Sequence, residues 1–105
     1  MTFKNLADLD EKEVRNFKGR FLHTNNITLA YWHFEAGDLF PEHSHPHEQI
    51  SCVLKGEFEY CVDGETKILG SGGIALILPD ATHYGKAVTK CELLDVFYPI
   101  RAEYR

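Results

Sequence analysis

The chain has 105 residues, a formal charge of −5 and 44% apolar residues, enough for one globular domain with a real core. No basic cluster points to nucleic acid, and no apolar run is long enough for a membrane span. The N-terminus lacks the apolar stretch of a signal peptide, and three cysteines (Cys52, Cys61, Cys91) without a CxxC pair read as free thiols in a reducing cytoplasm.

Residues 1–24 read as an N-terminal arm, in which "LADLDEKEVRNF" (6–17) has room for one helical turn but reads rather as an irregular arm or a short strand. From there the pattern is all-β. "NITLAYWHFEAG" (26–37) alternates and stops at Gly37. "QISCVLKGE" (49–57) is a strand running to Gly56. "EFEYCVDGETKIL" (57–69) is a hairpin, because Asp63-Gly64 is the favoured pair for a type I′ turn. "IALIL" (74–78) is a short apolar strand broken by Pro79. "THYGKAV" (82–88) and "CELLDVFYPI" (91–100) follow, and residues 101–105 form a tail. Short strands punctuated by turns predict a single barrel over 25–100, a sandwich or jelly roll.

The stretch "PEHSHPHEQI" (41–50) carries the chemistry. His43 and His45, two apart on an extended chain, point to one face and can chelate one cation. Counting on along that face offers His47 or Gln49, while Glu48 points away; Pro46 disturbs the pleat, so both stay open. His83, beyond Pro79, is the best distant ligand. The competing reading is a proline-rich surface turn with solvated histidines. Glu48 is also a possible hydrogen-bond partner for a ligating histidine. His23 and His33 read as structural or surface residues. Trp32, Tyr31, Phe40 and Tyr84 line either a pocket or the core.

These residues resemble a known family. Gly37, His43-x-His45, Gln49 and Gly56 fall on the first cupin motif, G-x5-H-x-H-x3–4-E-x6-G, with Gln in the Glu place. "GGIALILPDATH" resembles the second motif, with Gly72 and His83 in register; Leu78 stands where a proline is usual, and Ala87 where an asparagine is. The segments "HSHPHEQISCVLKGEFEY", "DGETKIL" and "ELLDVFYPIRAEY" are similar to small single-domain cupins of the KdgF type, which act in pectin degradation. The resemblance implies a jelly-roll cupin barrel and one divalent metal (nickel, zinc, iron, manganese or cobalt) held by His43, His45, Gln49 and His83. It also implies a further site pattern, D-x-F-x3-R, at Asp95, Phe97 and Arg101. The implied activity is linearisation of 4,5-unsaturated uronate monosaccharides to 5-keto-4-deoxyuronates. A homodimer is expected from the same resemblance and from the need to cover sheet edges.

Elementary chemistry fits those implications. Three neutral imidazoles and an amide oxygen leave a divalent ion its full charge, which favours an anionic substrate such as a sugar acid. Asp95 and Phe97 share a strand face, and Arg101 lies just past the strand end. Asp95 is then the expected acid/base, Arg101 a carboxylate clamp and catalytic partner, and Phe97 a sugar-binding wall. The bland alternative makes Asp95 a structural carboxylate and Arg101 a surface residue. The competing functions are another cupin enzyme, either a dioxygenase or a sugar isomerase, and a non-catalytic sugar-binding or sensor cupin.

Overall fold

The computed structural model describes residues 2–105. Its backbone forms ten strands: β1 (Asp10–Val14), β2 (Phe17–His23), β3 (Thr28–Phe34), β4 (Leu39–His43), β5 (Glu48–Lys55), β6 (Phe58–Val62), β7 (Glu65–Leu69), β8 (Ile74–Ile77), β9 (His83–Ala87) and β10 (Cys91–Tyr98). They make a six-stranded sheet, β1-β2-β3-β10-β5-β8, and a four-stranded sheet, β4-β9-β6-β7. Every pairing is antiparallel. The all-β, two-sheet jelly-roll architecture expected from the sequence is the one observed.

The alternation of the strands decides what faces the core. Along β10, Cys91, Leu93, Asp95 and Phe97 are buried, while Glu92, Leu94 and Val96 are half-exposed. Along β3, Thr28, Ala30, Trp32 and Phe34 point inward. Trp32, Phe34, Phe58, Leu93 and Phe97 fill the space between the sheets with side chains from both. The β6–β7 turn places Asp63 at φ 49° and Gly64 at φ 84°, both positive as a type I′ turn requires.

Three segments differ from the sequence reading. Residues 1–24 contain a hairpin, not just an arm: β1 pairs with β2, and β2 with β3. Phe17, Gly19 and Phe21 lie inward on β2, so the glycine interrupts its apolar alternation. Glycine is required there, since a Cβ on Gly19 would lie 2.8 Å from the Trp32 ring. Strand β4 is a second addition. It contains Pro41 and meets β9 with a register irregularity between Phe40 and His43, so neither proline rules nor periodicity reveal it. The tail is no loose end: Ala102–Tyr104 form a 3-10 turn that buries Tyr104 against Phe21, Trp32 and Phe97.

Strand β8 is an edge. Ala75 and Ile77 turn inward, leaving Ile74 and Leu76 more than 60% exposed. Among the described residues, no helix is long and apolar enough to cross a membrane.

Candidate metal and sugar-acid site

The histidine cluster assembles from two separate stretches of chain, 43–45 and the start of β9. His43 ends β4 and His83 begins β9, and the two are register partners. Their rings lie 4.2 Å apart between centroids. His45, in the following loop, brings its ring to 4.9 Å from that of His83. One metal-capable atom from each of the three lies within 4.8 Å of the others.

Backbone carbonyls orient all three rings. His43 Nδ1 contacts Pro41 O at 2.7 Å, His45 Nδ1 contacts His47 O at 3.0 Å, and His83 Nδ1 contacts Ala81 O at 2.8 Å. A carbonyl only accepts, so each Nδ1 carries the proton and donates it. Each Nε2 is left as a lone pair. Burial pulls the three imidazoles below their ordinary pKa and keeps them neutral, with the Arg101 charge adding to the effect and the carbonyl bonds opposing it.

Gln49 completes the group. Its parity on β5 buries it, while Glu48 points outward and is exposed. Gln49 Oε1 stands 3.1 Å from His45 Nε2. That pairs two acceptor atoms, an arrangement that a shared cation relieves. His83 Nε2 is buried with no hydrogen-bond partner. An unpaired buried nitrogen costs about 1–3 kcal/mol, and a metal ion would satisfy it. Three imidazole nitrogens and an amide oxygen are a suitable donor set for a first-row divalent metal.

His47, the other parity candidate, lies outside the cluster. Past Pro46 its ring turns away, and Nε2 donates to Ile100 O at 3.1 Å. Glu48 bonds none of the three clustered histidines, whose Nδ1 partners are all backbone. His23 bonds Thr28 Oγ1 (2.9 Å) and Tyr104 O (3.2 Å), a structural role, and His33 is exposed on the outer face.

Asp95, Gln49 and Phe97 border the same cavity as His43 and His83. Asp95 is 6% exposed. Its Oδ2 accepts from Trp32 Nε1 at 3.1 Å, and its Oδ1 is buried without a partner. Burial pushes its carboxyl from an ordinary 3.8 up to about 6, with the polar groups of Ser51, Gln49 and Trp32 pulling the other way. Of these three, only Trp32 makes a well-formed bond. The sequence reading missed Trp32 as the residue that holds Asp95. Ala30 lies directly opposite Asp95 on β3, a register that the sequence does not reveal. Ser51 and Tyr60, hydrogen-bonded to each other nearby, were missed too.

Arg101 is 8% exposed, far from a solvated tail residue. Its guanidinium lies 4.8 Å from the Phe97 ring centre and 4.4 Å from that of Tyr104, and its Nε is paired with Glu103. Nη1 is buried and unpaired. Its backbone N–H donates to Thr28 Oγ1 at 2.9 Å. Of the aromatic candidates, Trp32 and Phe40 border the cavity. Tyr31 lies on the outer face, bonded to Glu92.

Comparison with known proteins decides the family, because the model of the cupin domain matches residues 30–97. The chain belongs to the cupin family. This cupin is 29% identical over 83 residues to the pectin degradation protein KdgF of Dickeya dadantii (strain 3937), covering 77% of this chain and 76% of that protein. An RmlC-like cupin from Shewanella frigidimarina NCIMB 400 superposes with a TM-score of 0.92 at 26% identity, over all of this chain and 96% of the other. KdgF from Halomonas sp. superposes with a TM-score of 0.91 at 24% identity, over all of this chain and 99% of that one. Double-stranded β-helix folds of the same kind also occur at lower identity, including a predicted oxalate decarboxylase from Thermotoga maritima (15%, TM-score 0.81). The cupin frame alone therefore does not name a reaction.

Proposed function

We propose that this cupin linearises 4,5-unsaturated uronate monosaccharides of pectin or alginate origin, as a metal-dependent, isomerase-like enzyme. The observation that carries the reading is the convergence on one cavity of His43 and His83 from the histidine cluster, Gln49, and a buried carboxylate with one free oxygen. The likeness to KdgF of Dickeya dadantii supports the substrate class.

His43, His45, Gln49 and His83 would hold one divalent metal: nickel, zinc, iron, manganese or cobalt. When bound, it supplies Lewis-acid polarisation of a sugar oxygen. The remaining work falls to the chain. Arg101, packed on Phe97 and Tyr104, would offer its unpaired Nη1 to the substrate carboxylate. Phe97 offers an apolar wall to the sugar ring.

Asp95 moves the proton. The unsaturated uronate is a cyclic hemiacetal whose ring oxygen is also an enol ether. Asp95 Oδ1 takes the anomeric hydroxyl proton, and the bond between the anomeric carbon and the ring oxygen breaks. An aldehyde forms at one end and an enolate, carried on the former ring oxygen, at the other. The same carboxyl then returns the proton to the far carbon of the enolate double bond, and the carbon bearing the oxygen becomes a ketone. One proton is taken and one returned, so nothing is oxidised and no organic cofactor enters. A carboxyl that burial makes more basic is suited to do both.

A small sugar acid is thus the partner, and a reducing cytoplasm fits three unpaired cysteines. The working unit is read as a homodimer. The outer face of the six-stranded sheet supports this. Val96, Ile50 and Leu76 stand side by side in one row, and Leu94, Cys52 and Ile74 in the next. An uncharged, partly exposed patch of that kind marks a contact surface.

The direct test mixes metal-loaded protein with lyase-generated unsaturated galacturonate and follows the ultraviolet absorbance of the ring double bond. Loss faster than the spontaneous rate, abolished by chelator and by Asp95→Ala, is the expected result. A metal-loaded protein that gives no acceleration would move the function to another sugar acid or to a binding role.

A further inference from the structure

His47 is left over from the cluster, yet it touches both halves of the site. Its backbone carbonyl accepts from His45 Nδ1 at 3.0 Å. Its side-chain Nε2 donates to the carbonyl of Ile100 at 3.1 Å, one residue before Arg101. We infer that His47 is a positioning residue: its imidazole fixes the tail that carries Arg101, and so sets where the guanidinium meets a sugar carboxylate. This rests on the reading of Arg101 as the carboxylate clamp.

The tail has few other restraints of this kind. Beyond the end of β10 it has left the sheet ladder. Among the described residues, three side chains from the first half of the barrel hold it. Thr28 accepts from the Arg101 N–H, His23 reaches the Tyr104 carbonyl, and His47 reaches the Ile100 carbonyl. Thr28 and His23 are bonded to each other, so they form one support on the β3 side. His47 is the separate support on the side of the histidine cluster. A guanidinium moved by about 1 Å loses much of a bidentate bond to a carboxylate, because both contacts depend on direction.

The two contacts of His47 can be separated by substitution. The carbonyl that serves His45 is backbone and survives any side chain. Gln places an amide nitrogen as many bonds from Cβ as His Nε2, and so can still reach Ile100. Asn is one bond too short.

The experiment compares His47→Asn with His47→Gln. Metal content should be unchanged in both. Amide exchange of the segment 100–105, followed by mass spectrometry, should quicken roughly fivefold in the Asn variant, the scale of one lost hydrogen bond, and stay near wild type in the Gln variant. With unsaturated galacturonate, Asn should raise KM about tenfold with little change in kcat, and Gln should restore most of it. On the methyl ester of the same sugar, which offers no carboxylate, the Asn penalty should vanish. Unchanged tail exchange in the Asn variant overturns the inference. So does loss of metal, a Gln variant as impaired as Asn, or an equal penalty on the ester. If wild-type protein turns over neither sugar, the uronate reading fails by itself, and tail exchange still decides whether His47 holds the tail.

Discussion

The inner and outer faces of β5, β8 and β10 each depart from the usual order of a sheet. Inward, the strands present Gln49, Ser51 and Asp95 beside Val53, Leu93 and Phe97. Outward, Ile50, Leu76 and Ile74 are 45%, 61% and 62% exposed. A one-sided antiparallel sheet ordinarily sends its apolar residues in and its polar residues out. Here the polar groups on the inside cost desolvation, and the apolar groups on the outside stay exposed. The difference teaches that alternation tells which residues share a face, while the chemistry of each face tells what that face is for.

The comparison breaks most severely at Asp95. Asp95→Asn keeps the shape and the Trp32 bond but removes the proton carrier, so turnover should fall by about 10²–10⁴-fold in the absorbance assay. The next effect is on substrate affinity. Arg101→Gln should raise KM by roughly 10- to 100-fold, the scale of a lost charge-assisted hydrogen bond, with metal content unchanged. Gln49→Glu should raise KM about tenfold by placing a negative charge where the sugar acid binds; unchanged kinetics would remove the charge argument.

The outer face should behave in the opposite way. Leu76→Glu should drive the protein from dimer to a 12.0 kDa monomer in sedimentation equilibrium, while the fold is kept. A dimer that survives this substitution uses another surface.

The same Asp95→Asn variant sharpens the comparison through stability. In chelated protein, Asp95 has a folded pKa of about 6 against an ordinary 3.8, so folding favours its protonated form. Its relative stability is full below pH 4 and is lost as pH rises through 6. At pH 7 the buried charge costs about 3 kcal/mol on that rise. The Tm advantage of Asp95→Asn over wild type should be near zero below pH 4 and roughly 15 °C above pH 7. Taking the difference between the two proteins removes the histidines, whose lowered pKa values work in the opposite direction, from the profile.

Much of this was legible in the chain, for physical reasons. Strands β3, β5 and β10 alternate cleanly because both sides of each are used, and Asp63-Gly64 can hardly do anything but turn. Strand β2 hid because a large Trp32 ring demanded Gly19 at an inward position. Strand β4 hid because it carries Pro41 and a break in register. Parity along 43–49 left His47 and Gln49 equivalent, and only the path after Pro46 separates them. The Trp32–Asp95 bond joins residues 63 positions apart, and no local pattern encodes it.

The three Nδ1–carbonyl contacts have a thermodynamic consequence for metal capture. In a free histidine pair, a cation competes with protons for the nitrogens, and binding releases protons to buffer. Here the retained protons sit on the nitrogens tied to Pro41, His47 and Ala81, and the opposite nitrogens are already bare at neutral pH. The rings also have little rotation left to lose. Metal uptake should therefore release few protons from these rings at neutral pH. Its calorimetric heat should depend only weakly on the ionisation enthalpy of the buffer.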